Sequence, residues 1–178
     1  MEKIKNKKLL IIIIAIMAVL AIALGVTAYL NMGNVADKKT LQEKAVIVIT
    51  SGDKKLAQAN MAYITGLGEE EFKANLKKSG KSPVEHSYTG VPLKNLLSGL
   101  EINTAGVTTV VLKAIDGYSS ALTLDEVLEE DNVYIVYKMD GKLLENAENG
   151  GDGPYMALIR KDTYSQRWCK LLTEINLQ

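Results

Sequence analysis

Hydrophobic positions follow three patterns along the chain. From Leu9 to Leu30 they run almost unbroken, twenty-two residues without a charge. A helix of that length measures about 33 Å, against roughly 30 Å for the hydrocarbon core of a bilayer. Lys3, Lys5, Lys7 and Lys8 precede the run, opposed only by Glu2. The positive-inside rule keeps such an end in the cytoplasm and sends the remainder across. The pattern therefore predicts a basic cytoplasmic segment over 1–8, a transmembrane anchor over 9–30 and an extracytoplasmic remainder. A cleaved secretory signal is the competing pattern. Its apolar stretch is normally about 7–15 residues with a small-x-small site behind it, which Val26-Thr27-Ala28 and Asn34-Val35-Ala36 match loosely.

Residues 31–43 are polar and predict a short linker, and 44–178 then alternate in shorter periods. Ala45 to Thr50 is rich in β-branched residues and predicts a strand; Met61, Tyr63 and Thr65 alternate and extend strand character over Ala59 to Thr65. Gly68 to Gly80 predicts a short helix, with Glu69, Glu70 and Glu71 in its first turn, Lys77 and Lys78 in its last, and Phe72 and Leu76 as its stripe. Val84 to Tyr88 is extended. Pro92 opens an amphipathic helix through Leu93, Leu96, Leu97 and Leu100, at helical spacing. Strands are expected at Val107–Ile115, Val133–Met139, Tyr155–Ile159 and Trp168–Leu177, with a capping box at Thr123 and Glu126 starting a short helix. This irregular mixture of about seven strands and three helices predicts an α+β domain rather than a doubly wound parallel one. Leu93, Leu96, Leu97, Val110, Leu112, Ile135, Leu158, Trp168 and Leu171 form the expected core.

Charge narrows the possible partners. The chain balances 21 basic against 21 acidic residues, but residues 1–36 hold four lysines and one glutamate. The remainder is thus acidic by three charges and has no general attraction for nucleic acid. Cys169 and His86 are the only residues of their kinds. That excludes an intrachain disulfide, leaves too few ligands for a structural zinc site, and removes the serine- and cysteine-triad templates unless His86 takes part.

Three segments carry candidate chemistry. Arg160 and Arg167, the only arginines, fall with Lys161 and Lys170 in one short window opposed within it by Asp162. Guanidinium forks of this kind suit a phosphate or carboxylate, although a solvated loop explains them too. The loop Asn149-Gly150-Gly151-Asp152-Gly153-Pro154 is rich enough in glycine to cradle an anion, yet no helix or Lys-Ser/Thr pair follows, so a plain turn fits it better. Asp116, Tyr118 and Ser119 gather a carboxylate, a phenol and a hydroxyl at a strand end.

The order of Tyr88-Thr89-Gly90-Val91-Pro92-Leu93, Asp116-Gly117-Tyr118-Ser119, Asp140-Gly141-Lys142-Leu143-Leu144, Gly153-Pro154-Tyr155 and Arg167-Trp168-Cys169-Lys170-Leu171-Leu172 resembles the oxidoreductase molybdopterin-binding domain of sulfite oxidase and related enzymes, over about Ser87 to Leu177. The resemblance implies a mixed-sheet α+β fold of that type and molybdopterin as a possible cofactor. On it, Asp116, Tyr118, Ser119, Arg160, Arg167 and Lys170 would surround a small anionic ligand. Family enzymes hold molybdenum through a cysteine upstream of the segment matching Tyr88 to Leu93. No cysteine precedes that segment here, Met156 stands where the family has an arginine, and Arg160 replaces a proline. The resemblance so qualified implies no protein-held metal. Two functions stay open: a membrane-tethered binding module for a pterin-like ligand, another anion or a protein partner, and an active oxidoreductase whose metal is held by the pterin alone.

Overall fold

The computed structural model describes residues 13–27, 44–77 and 80–178. The chain divides into two units, Met1–Leu41 and Gln42–Gln178. In the first, residues 13–27 form one exposed helix, α1. Among the described residues no helix is long and apolar enough to cross a membrane. The described part of α1 spans about 22 Å, and both ends of the apolar run lie outside the described residues, as does the linker over 31–43.

The second unit holds ten strands in two sheets. In the first sheet the order is β2-β1-β10-β5-β6, built from β1 (Val46–Ser51), β2 (Lys54–Asn60), β5 (Thr109–Ala114), β6 (Ser119–Thr123) and β10 (Leu172–Leu177). Only β1 and β10 run parallel; the other pairs are antiparallel. The second sheet orders β3 (Glu70–Leu76), β4 (Val84–Pro92), β7 (Val133–Met139) and β8 (Lys142–Leu143), with β9 (Met156–Ile159) also pairing with β7. Short helices α2 (Met61–Thr65), α3 (Leu93–Gly99) and α4 (Leu124–Leu128) interrupt the strands. The α+β expectation holds. Five consecutive residues of β7, Val133 to Tyr137, are buried. A strand covered on both faces has no polar side to alternate with.

The helix expected over Gly68–Gly80 is a strand instead. Phe72 and Leu76 are buried, Ala74 is half-buried, and Glu71, Lys73 and Asn75 are exposed, which is a period of two. A spacing of four suits either structure. Pairing with β4 along seven positions, and Phe72 set 4.2 Å from the Tyr134 ring centroid, outweigh the helical charge arrangement. Strand character over Ala59–Thr65 also fails at Asn60, whose side chain accepts from the Tyr63 amide and caps α2.

The Thr123–Glu126 capping box forms as expected. Strand β6, immediately before it, was not anticipated, because Ser119-Ser120-Ala121-Leu122 carries a single bulky apolar residue. Of the strand expected from Trp168, only Leu172 onward joins the first sheet. Cys169 exchanges both backbone hydrogen bonds with Ala157, and Leu171 then takes a positive φ of 52°. That kink leaves Leu171 half-buried, while the other eight expected core residues are buried.

Candidate functional site

The β5–β6 hairpin ends in Asp116-Gly117-Tyr118. Asp116 Oδ1 accepts from the Tyr118 amide at 3.0 Å, and Gly117 has a φ of 88°, which an L side chain resists. The phenol is then aimed at the single-turn 3-10 helix Ser165–Arg167, where Tyr118 Oη donates to the Gln166 carbonyl at 2.7 Å. Backbone bonds tie the same region together, since Ile115 N donates to Leu171 O and Leu171 N to Asp152 O. Lys170 Nζ meets Asp152 Oδ2 at 3.0 Å. Asp116, Tyr118, Arg167, Lys170 and the glycine loop thus belong to one cluster of loops. Ser119 follows as the exposed first residue of β6.

Arg160 is engaged elsewhere. Its guanidinium lies 5.4 Å from the Phe72 ring centroid and 3.9 Å from Asp131. The basic window has a counterpart the sequence did not advertise. The segment from Asp125 to Asp131 meets it in three places: Glu126 on Arg167 at 2.9 Å, Glu129 on Lys161 at 2.7 Å and Asp131 on Arg160, while Glu130 pairs with Lys94 of α3. Asp162 adds two contacts to Arg167, from Nε at 2.8 Å and from Nη2. These partners hold the Arg167 guanidinium well above its ordinary pKa, the Asp162 hydrogen bonds contributing most.

The glycine loop folds on its own chain. A Cβ at Gly151 would stand 2.1 Å from the Glu145 carbonyl oxygen, and one at Gly153 would stand 2.5 Å from Leu144 Cβ. Their amides donate to Asn146 O and Glu145 O. The close approach that glycine permits is spent on β8 and its continuation, as the plain-turn reading expects. Beside the loop, Met139, Asp140, Lys142, Leu144, Gly151 and Asp152 line an open cleft of about 430 Å³. Asp140 accepts from the Ser87 amide at 3.0 Å and bonds His86 Nδ1 at 2.7 Å, so the lone histidine is a link between β4 and the β7–β8 turn. The Tyr88 hydroxyl is buried without a hydrogen-bond partner. Burial first, then the charges of Asp140 and Asp152, raise its pKa.

Cys169 is fully buried, and burial, with a smaller effect from Asp116, pushes its thiol up to about 12. Trp168 beside it donates Nε1 to the Ile159 carbonyl and stands edge-on to Tyr88. Both are core residues. Among the described residues no three His, Cys, Asp or Glu side chains are grouped to hold a metal ion.

Two sheets with few short helices, closed by this loop cluster, define a sulfite-oxidase-like molybdopterin-binding domain. The chain belongs to the oxidoreductase molybdopterin binding domain family, whose model matches residues 65–178. Among solved structures it is similar to the sulfane dehydrogenase SoxCD from Paracoccus pantotrophus, with a TM-score of 0.60 and 12% identity over 76% of this chain. At that identity the likeness is one of fold, and this chain corresponds to 38% of that one. No curated protein matches.

The family implies molybdopterin, and the residues present fit that group poorly. The single thiol is buried in the core, where burial raises its pKa, and no cysteine precedes the segment Tyr88–Leu93. Arg160, Arg167 and Lys170 each hold a carboxylate already, and the amides of Gly151 and Gly153 are spent. Sequence reasoning located the cations and Asp162 beside them, and missed Glu126, Glu129, Asp131 and Asp152. The acidic run Asp125–Asp131 was the available signal, since a segment so dense in carboxylates in the same small domain needs cations nearby.

Proposed function

We propose that this chain is a non-catalytic binding module of the molybdopterin-binding family, held at the membrane by its N-terminal apolar run with the domain on the extracytoplasmic side. The observation that carries the non-catalytic part is the burial of Cys169. The family's enzymes hold molybdenum through a cysteine thiolate, and the chain's only thiol is buried and lies downstream of the matching position. The lysine-rich flank and the uncharged Leu9–Leu30 run support the anchor and its orientation. The binding surface is the cluster formed by the Asp116–Ser119 hairpin, residues 166–171 and Asp152, together with the cleft at Asp140 and Lys142. Its ligand is a small anionic molecule other than an intact molybdenum cofactor, or a protein partner.

Elemental analysis of the full chain, purified from a host that makes molybdopterin, tests this directly. The expected result is no stoichiometric molybdenum. A one-to-one content would establish the competing function, an oxidoreductase with the metal held by the pterin alone. Protease added to intact cells tests the topology. Removal of the domain is expected, whereas a mature N-terminus near Tyr29 or Asp37 would show a cleaved signal.

A further inference from the structure

Helix α3 ends in a motif that favours glycine. Leu100 N donates to Leu96 O, Glu101 N to Ser98 O and Ile102 N to Leu97 O, the crossed pairing that closes a helix around one residue in the left-handed region. That residue is Glu101, with a φ of 53°. Glycine ordinarily stands there because it has no Cβ to resist the conformation, and asparagine is the next choice. A glutamate also sets a negative charge on the negative end of the helix, and no basic residue in the last turn offsets it. Among the described residues no hydrogen bond or ion pair engages the Glu101 carboxylate. Two of the other non-glycine residues at positive φ are aspartates, a type that tolerates it, and Leu171 makes the turn into β10. Helix closure alone therefore does not account for a glutamate at this position.

Glu101 lines an open cleft of about 380 Å³ together with Leu56, Leu100, Ile102, Val107 and Leu177. Leu100, Ile102 and Val107 pack on the core and leave part of their surface exposed. Asn103 shapes the loop between them, its Oδ1 accepting from Ala105 N at 2.9 Å. The cleft sits where Val110 pairs with Leu177, whereas the Asp116–Tyr118 turn follows Ala114 at the far end of β5. It is thus separate from the loop cluster described above. We propose that this cleft is a second binding site, for a small organic cation: the apolar walls hold a hydrocarbon body, and the Glu101 carboxylate receives an ammonium group by a charge-assisted hydrogen bond. Its volume lies at the small end of ligand pockets, roughly 300–1,000 Å³, which suits a body the size of one ring.

The test is an amide NMR titration of the full-length chain in nonionic detergent with benzylammonium, and with benzyl alcohol as its neutral counterpart. The cation is expected to give saturable shifts at Leu56, Glu101, Ile102 and Val107. Glu101 is exposed, so substitutions there remove no core packing. Glu101→Gln keeps the size, removes the charge and should weaken binding by at least about tenfold, roughly 1.4 kcal/mol. Benzyl alcohol should bind wild type no more tightly than the cation binds that variant. Glu101→Gly should abolish binding and raise Tm, because it restores the residue the helix end favours. Equal affinity in wild type and Glu101→Gln would overturn the inference, as would the absence of saturable shifts at these amides. A Glu101→Gly variant with unchanged or lower Tm would overturn it too, since the glutamate would then be kept for stability. If the same amides shift when the protein alone is concentrated, a second copy fills the cleft and the small-cation reading falls.

Discussion

Tyr118 and Gln166 are joined by a hydrogen bond of 2.7 Å across 48 residues of sequence, from a hairpin tip to a single-turn 3-10 helix. It is a neutral bond at a partly exposed site, worth about 0.5–1.5 kcal/mol. Tyr118→Phe should lower the unfolding free energy by no more than that, with an unchanged denaturant m-value, measured by urea titration. A larger loss would show that the phenol anchors the whole loop cluster.

Gly90 is a backbone-packing position. A Cβ there would stand 2.5 Å from the Ile135 carbonyl oxygen and 3.0 Å from Val136 Cα, both main-chain atoms of β7. Neither gives way without shifting the strand. Gly90→Ala should destabilise by about 1–3 kcal/mol or more, seen as a fall in Tm, whereas Gly106→Ala meets no neighbouring atom and tests only its φ of 78°.

Tyr88 offers a substitution in the opposite direction. Its hydroxyl is buried and unpartnered, so the desolvation of that group is uncompensated. Tyr88→Phe should leave stability unchanged or raise it, by up to about 1–3 kcal/mol, in the same urea titration. A clear loss would reveal a partner for the hydroxyl in solution.

Glu174 governs part of the acid response. Hydrogen bonds from Lys113 first and Thr50 second hold its carboxyl below the usual range. Because the folded pKa is depressed, the stabilisation is complete above the unfolded value of about 4.3 and is lost as pH falls through the folded pKa. Melting curves between about pH 2 and 6 should show a steeper acid decline for wild type than for Glu174→Gln. Parallel curves would mean the carboxylate gains nothing from folding.

Cys169 reports on the core. With its thiol pushed up to about 12 and no surface exposed, it should not react with a disulfide reagent at pH 8 until the domain unfolds. Rapid labelling of the native chain would place the thiol outside the core.

Much of the fold was legible because several elements are specified locally. Pro92 before Leu93, Leu96 and Leu97 marks a helix start with one apolar face, and Thr123 with Glu126 caps the next one. Glu70–Leu76 was not legible, since its residues satisfy both periods and only pairing with Val84–Gly90 chooses between them. The site divides in the same way. Arg167 and Lys170 are visible as a cluster in the sequence, but whether a cation is open or already occupied depends on Asp152, Asp162 and Glu126, which only the folded chain brings into contact.

Strand β10 lies between two hairpins made far upstream, β1–β2 on one side and β5–β6 on the other. Each hairpin forms from neighbouring segments, but neither touches the other until Leu172–Leu177 has been synthesised and inserted between them. A chain that stops short of residue 172 carries two unpaired strand edges, the condition under which nascent proteins pair with one another. The six residues of this strand thus cover two edges at once, one from each hairpin.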